Sequence, residues 1–424
     1  MSMSNSFIKK VLLLLSFLLL AASFGGNDPV LTALVDEALK NSPEIQASQE
    51  RIEAARLKIP QVKSLPDPMF MFGYQNESFD RYTYGEMSGS QWMFSATQQF
   101  LFPGKQTLKG EMVKRDVESL EAMHELLKLK TVARVKEIYY DLFFAYKNID
   151  LLKDKRDLFI RIEDITLARY AAGKAMQQDV LMAQTEKYML LEKEEMLKQK
   201  VQSLEAMLRA VIGREKGPPL DRPSEPVYQP FPLEIDGAID LALKHSPEIK
   251  SRHKMIEAAN ARLAMAQKEY YPDFALSGSY YNRTGEFPDM WSATATINIP
   301  LYFYSKQRPA ALEAKANIRQ AKQELEAVKL MISAALRDNY SMLRSAEKLM
   351  NIYKKGLIPK NTQDFEQSLT GYSTGKTEAI NVISRLKTLL DYEAQYWNQF
   401  VEREKAISRL NAITTGLTAG DEKK

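Results

Sequence analysis

The segment whose residue types could best support chemistry is "GYSTGKTEAI", residues 371–380, where glycine, lysine and threonine stand together. A phosphate-binding loop requires Gly-x-x-x-x-Gly-Lys-Ser/Thr between a strand and a helix. Here three residues separate Gly371 from Gly375, one too few, and a long helical pattern precedes them. The related segment "YAAGKAMQQ" has Ala175 where that motif needs a hydroxyl. Nucleotide binding is therefore excluded.

Other residues that could act as metal ligands or nucleophiles are sparse. The chain has no cysteine and 3 histidines (His124, His245 and His253), which lack metal-ligand spacing. No Ser/His/Asp or paired-carboxylate arrangement is present, so we expect no metal site, no cofactor and no enzymatic activity. Met69, Met71 and Met93 are interpreted as packing or lipid-facing residues. The net charge of +4 without a dense basic block argues against nucleic-acid binding.

The N-terminus indicates export. Residues 1–25 combine Lys9 and Lys10 with a short apolar run that ends at small residues. This arrangement is typical of a secretory signal peptide, and the run is shorter than the roughly 20 residues that a spanning helix needs. No later segment is apolar enough to form such a helix. If the exported chain enters a membrane, it must therefore do so as strands.

The rest of the chain contains the same pattern twice. Ser42-Pro43-Glu44-Ile45 reappears 204 residues later as Ser246-Pro247-Glu248-Ile249, and "YAAGK" at Tyr170 reappears 202 residues later as "YSTGK" at Tyr372. A period of this length indicates two similar modules rather than a solenoid. The predicted organisation is a signal peptide (1–25), a first repeat (26–212), a linker rich in Pro and Gly (213–232), a second repeat (233–416) and a polar tail (417–424).

Each repeat is predicted to contain a helix, a β-hairpin and a long helical hairpin. In the first repeat, apolar residues at helical spacing predict one helix over 34–58. Residues 105–170 contain no proline and predict a helix of about 100 Å, too long for a globular core and typical of a coiled-coil assembly. In the second repeat, Gly356 and Pro359 predict a break in the corresponding helix. The predicted β-hairpins cover about 68–102 and 272–303, and the helical hairpins cover 105–212 and 306–416.

The strand candidates alternate in polarity. Alanine, isoleucine and leucine at the odd positions from 293 to 301 fall on one face, and threonine and asparagine fall on the other, whereas Gln98 interrupts the apolar face of its strand. Segments of this length match tilted membrane strands. Each hairpin is isolated between helices, and open edges are not tolerated in lipid. Several copies must therefore pool their strands. The predicted fold is mainly α, with a transmembrane β-barrel formed by oligomerisation.

This pattern resembles the TolC-like family of outer-membrane efflux factors over essentially the whole mature chain. The duplicated "AL-x-x-SPEI" helix, the "PGK" after the second strand and the "Y-x-x-GK" before each return helix carry the resemblance. Together with "GLIP", the last motif looks most like the branch that serves RND-type pumps, including heavy-metal exporters. The resemblance implies a homotrimer with a twelve-stranded barrel in the outer membrane of a Gram-negative-type cell. It also implies helices extending into the periplasm, a periplasmic adaptor protein and an inner-membrane transporter.

The resemblance also implies two kinds of functional residue. The turns that would contact the adaptor, called here the first and second tip turns, map onto Ala172-Gly173-Lys174 and Thr374-Gly375-Lys376. The acidic ring of the closed pore maps onto Asn381 and Ser384, neither of which is acidic, and Glu378 one turn earlier restores some charge. Asp179 matches a position that ties the tips shut by reaching toward Tyr372.

Two alternatives remain at this stage. The chain could be the outer-membrane outlet of a type I protein-secretion system, which shares the fold. It could also be an exported coiled-coil tether that does not conduct.

Overall fold

The structure is a computed structural model that describes residues 28–414. The predicted signal peptide and polar tail lie outside the described residues. The helices are α1 Pro29–Asn41, α2 Pro43–Lys63, α3 Lys105–Ala171, α4 Gln177–Ile212, α5 Ile235–His245, α6 Pro247–Lys268, α7 Gln307–Ile352, α8 Ile358–Ser373 and α9 Ala379–Ile413. The strands are β1 Met69–Gln75, β2 Gln91–Phe100, β3 Asp273–Asn282 and β4 Met290–Asn298. None of the described helices is long and apolar enough to cross a membrane.

The helix predicted over 34–58 is in fact two helices. Ser42 interrupts them with φ −57° and ψ 121° because Pro43 disfavours a helical conformation in the residue before it. The second repeat breaks in the same way at Ser246, with φ −55° and ψ 125° before Pro247. The repeated Ser-Pro pair therefore marks a helix boundary in both halves, and the prediction of one continuous helix is wrong.

The predicted break in the second long helix is confirmed. Between α7 and α8 the backbone forms a π-helical turn, Tyr353–Leu357, in which the Ile358 N–H donates to the Tyr353 carbonyl. Pro359 has no N–H and its ring would clash with a carbonyl of a regular helix, so an extra residue in the turn relieves the conflict. The corresponding helix of the first repeat, α3, runs for 67 residues with no such break.

The four strands form one antiparallel sheet in the order β1-β2-β3-β4. The two hairpins, one from each repeat, are joined through β2 and β3, with Phe94 opposite Tyr280 and Phe100 opposite Phe274. Strands β1 and β4 are the sheet edges. The ladder is therefore continuous across the two repeats and open at both ends.

The sheet has one apolar and one polar face, because residues opposite each other on neighbouring strands point to the same side. Phe72, Phe94, Tyr280 and Trp291 form one row of the apolar face. The Phe72 ring lies 5.1 Å from that of Phe94, so aromatic pairs hold adjacent strands in register. The other face is mostly serine, threonine and glutamine, and also carries methionine, glycine, alanine and one tyrosine.

The strand register shows which face Gln98 and the methionines of β1 occupy. Gln98 lies on the apolar face as predicted, and its amide donates to the Pro66 carbonyl at 2.8 Å, which satisfies the group locally. Met69 and Met71, however, lie opposite Thr97 and Ser95 on the polar face. Both methionines are exposed and lie among serine and threonine rather than among the aromatic residues of the apolar face.

The described chain divides into two compact units that cut across the sequence repeats. Unit 1 contains residues 28–48, 124–247 and 329–414, and holds both tip turns. Unit 2 contains residues 49–123 and 248–328, and holds all four strands. Each unit therefore takes equivalent segments from both repeats.

Unit 1 has a helical core with a buried ionic cluster. One apolar group packs α1 against α3 and α4, with Leu34, Leu142 and Leu208 among its buried members. Arg403 of α9 is fully buried, and its guanidinium lies 3.2 Å from Glu347 and contacts Glu404. Full pairing offsets the cost of removing this charge from water.

Arg403 also anchors the linker between the repeats. Its guanidinium donates to the Gln229 carbonyl and lies 3.9 Å from the centre of the Tyr228 ring. Earlier in the linker, Glu225 pairs with Lys147 at 3.1 Å, and Ser224 donates to Asp28 at 2.8 Å. The predicted linker is thus an extended strap bonded along the helices of unit 1.

Lys136 in this cluster is expected to make stability depend on pH. Burial lowers its pKa from 10.5 to about 8, an effect that Glu404 opposes. Because the folded-state pKa is the lower one, stability from this group is complete above pH 10.5 and is lost as pH falls through 8. Raising the pH from 7 to 9 should therefore stabilise unit 1 by about 1 kcal/mol. Thermal unfolding followed by helical circular dichroism checks this, and Lys136→Met should remove that pH dependence.

Candidate functional site

Both tip turns have the same backbone geometry. In the first, Gly173 has φ +69° and the Lys174 N–H donates to the Arg169 carbonyl at 2.8 Å. In the second, Gly375 has φ +81° and the Lys376 N–H donates to the Gly371 carbonyl at 2.8 Å. This is the Schellman motif, in which a left-handed residue allows the chain to cap the last carbonyls of a helix. The repeated "GK" therefore builds two identical helix ends.

Arg169, which the sequence reasoning missed, connects the two turns. Its guanidinium donates to the Tyr372 carbonyl at 2.7 Å and to the Lys174 carbonyl at 3.3 Å. It also lies 4.9 Å from the centre of the Tyr372 ring, and one nitrogen would be 3.4 Å from a Cβ added to Gly375. The only sequence signal was a basic residue in the last turn of α3, which is common at helix ends.

Tyr372 is a buried part of this connection. Its side chain is 2% exposed, and its hydroxyl donates to Thr166 Oγ1 at 2.8 Å. Thr166 in turn donates to the Ile162 carbonyl at 2.7 Å. Tyr170, the equivalent residue of the first repeat, is 47% exposed. The repeats therefore match in backbone but differ in how their tyrosines are used.

The contact expected between Asp179 and Tyr372 is replaced by others. The Tyr372 hydroxyl is already bonded to Thr166, and the Asp179 carboxylate accepts from the Met176 N–H at 3.3 Å. Asp179 stands at the third position of α4, where an acidic side chain caps the free N–H groups of the helix start. Asp179 thus stabilises its own helix in this structure.

The remaining predicted gate residues lie at the start of α9. Glu378 is the residue before the helix, Asn381 and Ser384 follow on its first turns, and all three are exposed. Asn381 stands 202 residues after Asp179 and so occupies the equivalent place, with an amide in place of a carboxylate. These three residues therefore carry a single negative charge between them, that of Glu378.

A second apolar core in unit 1 supports these turns. Tyr372 packs with Phe159 and Ile162 of α3 and with Val382 and Leu386 of α9. Ion pairs lie outside this core: Lys187 pairs with Glu163 at 2.8 Å, and Lys387 pairs with Glu186 at 2.9 Å. The hydrogen bond to Glu163 raises the pKa of Lys187 above its usual value. The turns thus rest on a packed base rather than on free loops.

Within residues 28–414, no group of three or more His, Asp or Glu side chains is arranged to hold a metal ion. What the site offers is structural: two capped helix ends, a guanidinium that bonds both, and exposed polar residues beside them. Such an arrangement can bind a protein or hold a passage closed.

The profile of the Outer membrane efflux protein family matches residues 34–214 and 238–414, which together are most of the chain. The chain belongs to this family. It is accordingly an outer-membrane channel for efflux, and the tether alternative is set aside. The two matched segments leave out most of the linker that Arg403 anchors, and each contains one of the tip turns.

Curated relatives cover nearly the whole chain. Nodulation protein T of Rhizobium leguminosarum bv. trifolii is 21% identical over 421 residues, covering 92% of this chain and 86% of the relative. The solvent efflux pump outer membrane protein SrpC of Pseudomonas putida is 19% identical, with 90% and 85% covered. The cobalt-zinc-cadmium resistance protein CzcC of Cupriavidus metallidurans is 20% identical, with 73% of each chain covered.

Solved structures confirm the fold class. The structure of CusC superposes with a TM-score of 0.78 at 13% identity, covering 92% of each chain. The outer membrane protein VceC of Vibrio cholerae superposes with a TM-score of 0.74 at 17% identity, covering 91% of this chain and 95% of VceC. The mainly helical fold with a small sheet is therefore that of the TolC-like channels.

Proposed function

We propose that the chain is the exit duct of a tripartite efflux system and works as a homotrimer. The observation that carries this proposal is the sheet, which has one apolar face, one polar face and two unpaired edges. A sheet of this kind is stable in lipid only if its edges are closed by other strands. Three copies of the four strands would form a twelve-stranded barrel with the apolar face toward lipid and the polar face around a water-filled passage.

We propose the two tip turns as the surface for a periplasmic adaptor protein. Ala172, Lys174, Thr374 and Lys376 are exposed, and their backbones are held by the capping bonds described above. The adaptor would join the channel to an inner-membrane transporter, of the RND type by resemblance. The named activities of SrpC and CzcC make organic solutes and metal ions the two substrate classes to test.

Beside these turns we propose a gate with little preference for cations. Asn381 and Ser384 are uncharged, so Glu378 is the only one of the three proposed residues at the start of α9 that adds negative charge. A gate with so little charge would admit neutral solutes as readily as metal cations. Substrates would pass through without any bond being made or broken.

The test is reconstitution into planar bilayers with a pair of neighbouring variants. Purified protein should give single-channel conductance with weak ion selectivity. Phe72→Arg puts a charge on the apolar face and should cost about 2–4 kcal/mol if that face meets lipid, and so sharply lower the yield of inserted channels. Met71→Arg, on the polar face, should insert and conduct with altered selectivity.

If correctly assembled trimers do not conduct, the proposal that the chain is an exit duct is wrong. Equal insertion of both variants would contradict the assignment of the faces. The type I secretion alternative is separated in cells: deletion should then remove a secreted protein from the medium, whereas the efflux proposal expects sensitivity to a small toxic solute.

A further inference from the structure

The structure contains a template for the contact between copies of the chain. Strands β2 and β3 belong to different repeats, and they pair within one chain. If copies assemble into a ring, β4 of one copy meets β1 of the next. This junction, like that of β2 with β3, places the last strand of one repeat beside the first strand of another. This inference rests on the trimer proposed above and specifies how its sheet is joined.

The equivalence between strands can be read from the observed pairing. Met69 lies opposite Thr97 in the first hairpin, and Asp273 lies opposite Asn298 in the second. Pro68 and Pro272, just before the first strands, are 204 residues apart. The first strands are therefore related by 204 residues and, through these pairs, the second strands by 201. The same 201 residues separate Lys105 from Lys306, so the offset holds through the strand and the following turn.

We infer that β4 pairs with β1 of a neighbouring copy with Thr296 opposite Gln75 and Ile297 opposite Tyr74. This register follows when the observed pairs Ser95–Ser279 and Ala96–Gly278 are shifted by those offsets. It also places Ile299 opposite Phe72, with β4 extended beyond its present end. The apolar side chains then fall on one face across the junction, as a one-residue slip would not allow.

The turn after each strand supplies a second element of this interface. Lys105, after β2, is 1% exposed, and its ammonium contacts Asp273 at 2.9 Å, the Tyr271 carbonyl at 3.2 Å and Glu269 at 3.4 Å. These partners lie at the entry to β3. A lysine after one strand thus pairs with acceptors at the start of the next strand, across the boundary between the repeats.

Lys306, the equivalent of Lys105, is exposed in the single chain. The residue equivalent to Tyr271 is Asp67, which is also exposed and precedes β1. At the positions equivalent to Glu269 and Asp273 stand Leu65 and Met69, so Asp67 is the one carboxylate in this stretch. The assembled sheet would therefore bring Lys306 to Asp67 of the neighbouring copy. There the ammonium of Lys306 would donate to both the backbone carbonyl and the side-chain carboxylate of Asp67.

The register is tested by disulfide formation, which is clean because the chain has no cysteine. Thr296→Cys with Gln75→Cys should give covalent trimers on mild oxidation, since opposite Cβ atoms lie about 4.5–5.5 Å apart. Thr296→Cys with Gly73→Cys, displaced by two residues, should give few. Ser95→Cys with Ser279→Cys is the matched control, because that equivalent pair is opposite within one chain and should oxidise without adding mass.

The outcomes separate this inference from the proposed function. Cross-linking by the displaced pair instead would overturn the register. If neither pair links while the control oxidises and the native protein is still trimeric, pairing of β4 with β1 is wrong although the trimer stands. A monomeric native protein in detergent and in membranes would overturn the trimer itself.

The ion pair is tested by exchanging its charges. Asp67→Lys and Lys306→Asp should each lower the temperature at which trimers dissociate in detergent, by several degrees. The double variant should recover most of that loss, and Lys322→Asp, on an exposed part of α7, should cause little change. If the double variant lowers the dissociation temperature by as much as the two single variants added together, these side chains do not meet.

Discussion

Replacing Gly173 and Gly375 together with valine is expected to abolish efflux while trimers still assemble. Both residues have positive φ, a conformation that costs a residue with a Cβ about 1–2 kcal/mol each and more if it is β-branched. Around Gly173 nothing lies within 4 Å of an added Cβ, so the effect there is backbone strain alone. At Gly375 the new side chain also meets the Arg169 guanidinium. Both turns should therefore lose the shape that we propose the adaptor binds.

The measurement is growth on a toxic efflux substrate, together with the amount of trimer in outer membranes and adaptor recovered by co-purification. Gly237→Val is the matched control, since that glycine lies in α5 with open space around its added Cβ and without positive φ. Normal efflux by the double variant would contradict the assignment of the tip turns. Loss of trimers would show instead that the turns are needed for assembly.

Replacing Arg169 with methionine is expected to leave the channel partly open. The substitution keeps an unbranched apolar stem but removes both hydrogen bonds to the turns and the contact with the Tyr372 ring. Bonds from a charged donor are worth about 1.5–3 kcal/mol when partly buried, so the joint between the two turns should weaken strongly. We expect several-fold higher conductance in bilayers, and cells that become sensitive to a large hydrophilic antibiotic.

Two further variants sharpen this test. Arg161→Met removes the same charge from an exposed position of α3 and should behave as the native protein. Arg169→Lys keeps the charge but has no planar fork to reach two carbonyls, so an intermediate conductance is expected. If Arg169→Met conducts no better than the native channel, the connection is structural and does not control the passage.

The comparison of sequence with structure turns on whether a feature depends on local or distant residues. The break in the second long helix was predicted because Pro359 acts on its own backbone, within one helical turn. The positive φ of Gly173 and Gly375 is equally local. The split between α1 and α2 also has a local cause, the Ser42-Pro43 pair. It was not predicted because apolar residues continue at helical spacing on both sides of that pair.

Contacts between distant segments were not available from the pattern alone. Arg169 meets Tyr372 only because α3 and α8 end side by side, and nothing near Arg169 in the chain signals this partner. For the same reason the sequence did not show that the Tyr372 hydroxyl bonds to Thr166 rather than to Asp179. The side on which Met69 and Met71 lie likewise depended on strand register, which alternation leaves open until the pairing is known.

The sequence by itself determined the duplication, the order of elements and the break at Pro359, because these depend on residues that are close together or repeated along the chain, and its motifs carried the resemblance to the family. The tertiary structure decided which residues join the tip turns, which face each strand residue occupies, and how the linker is anchored by Arg403. Arg169 is 203 residues from Tyr372 and Arg403 is 174 residues from Gln229. Contacts between segments so far apart depend on how the whole fold packs, and local patterns do not reveal them.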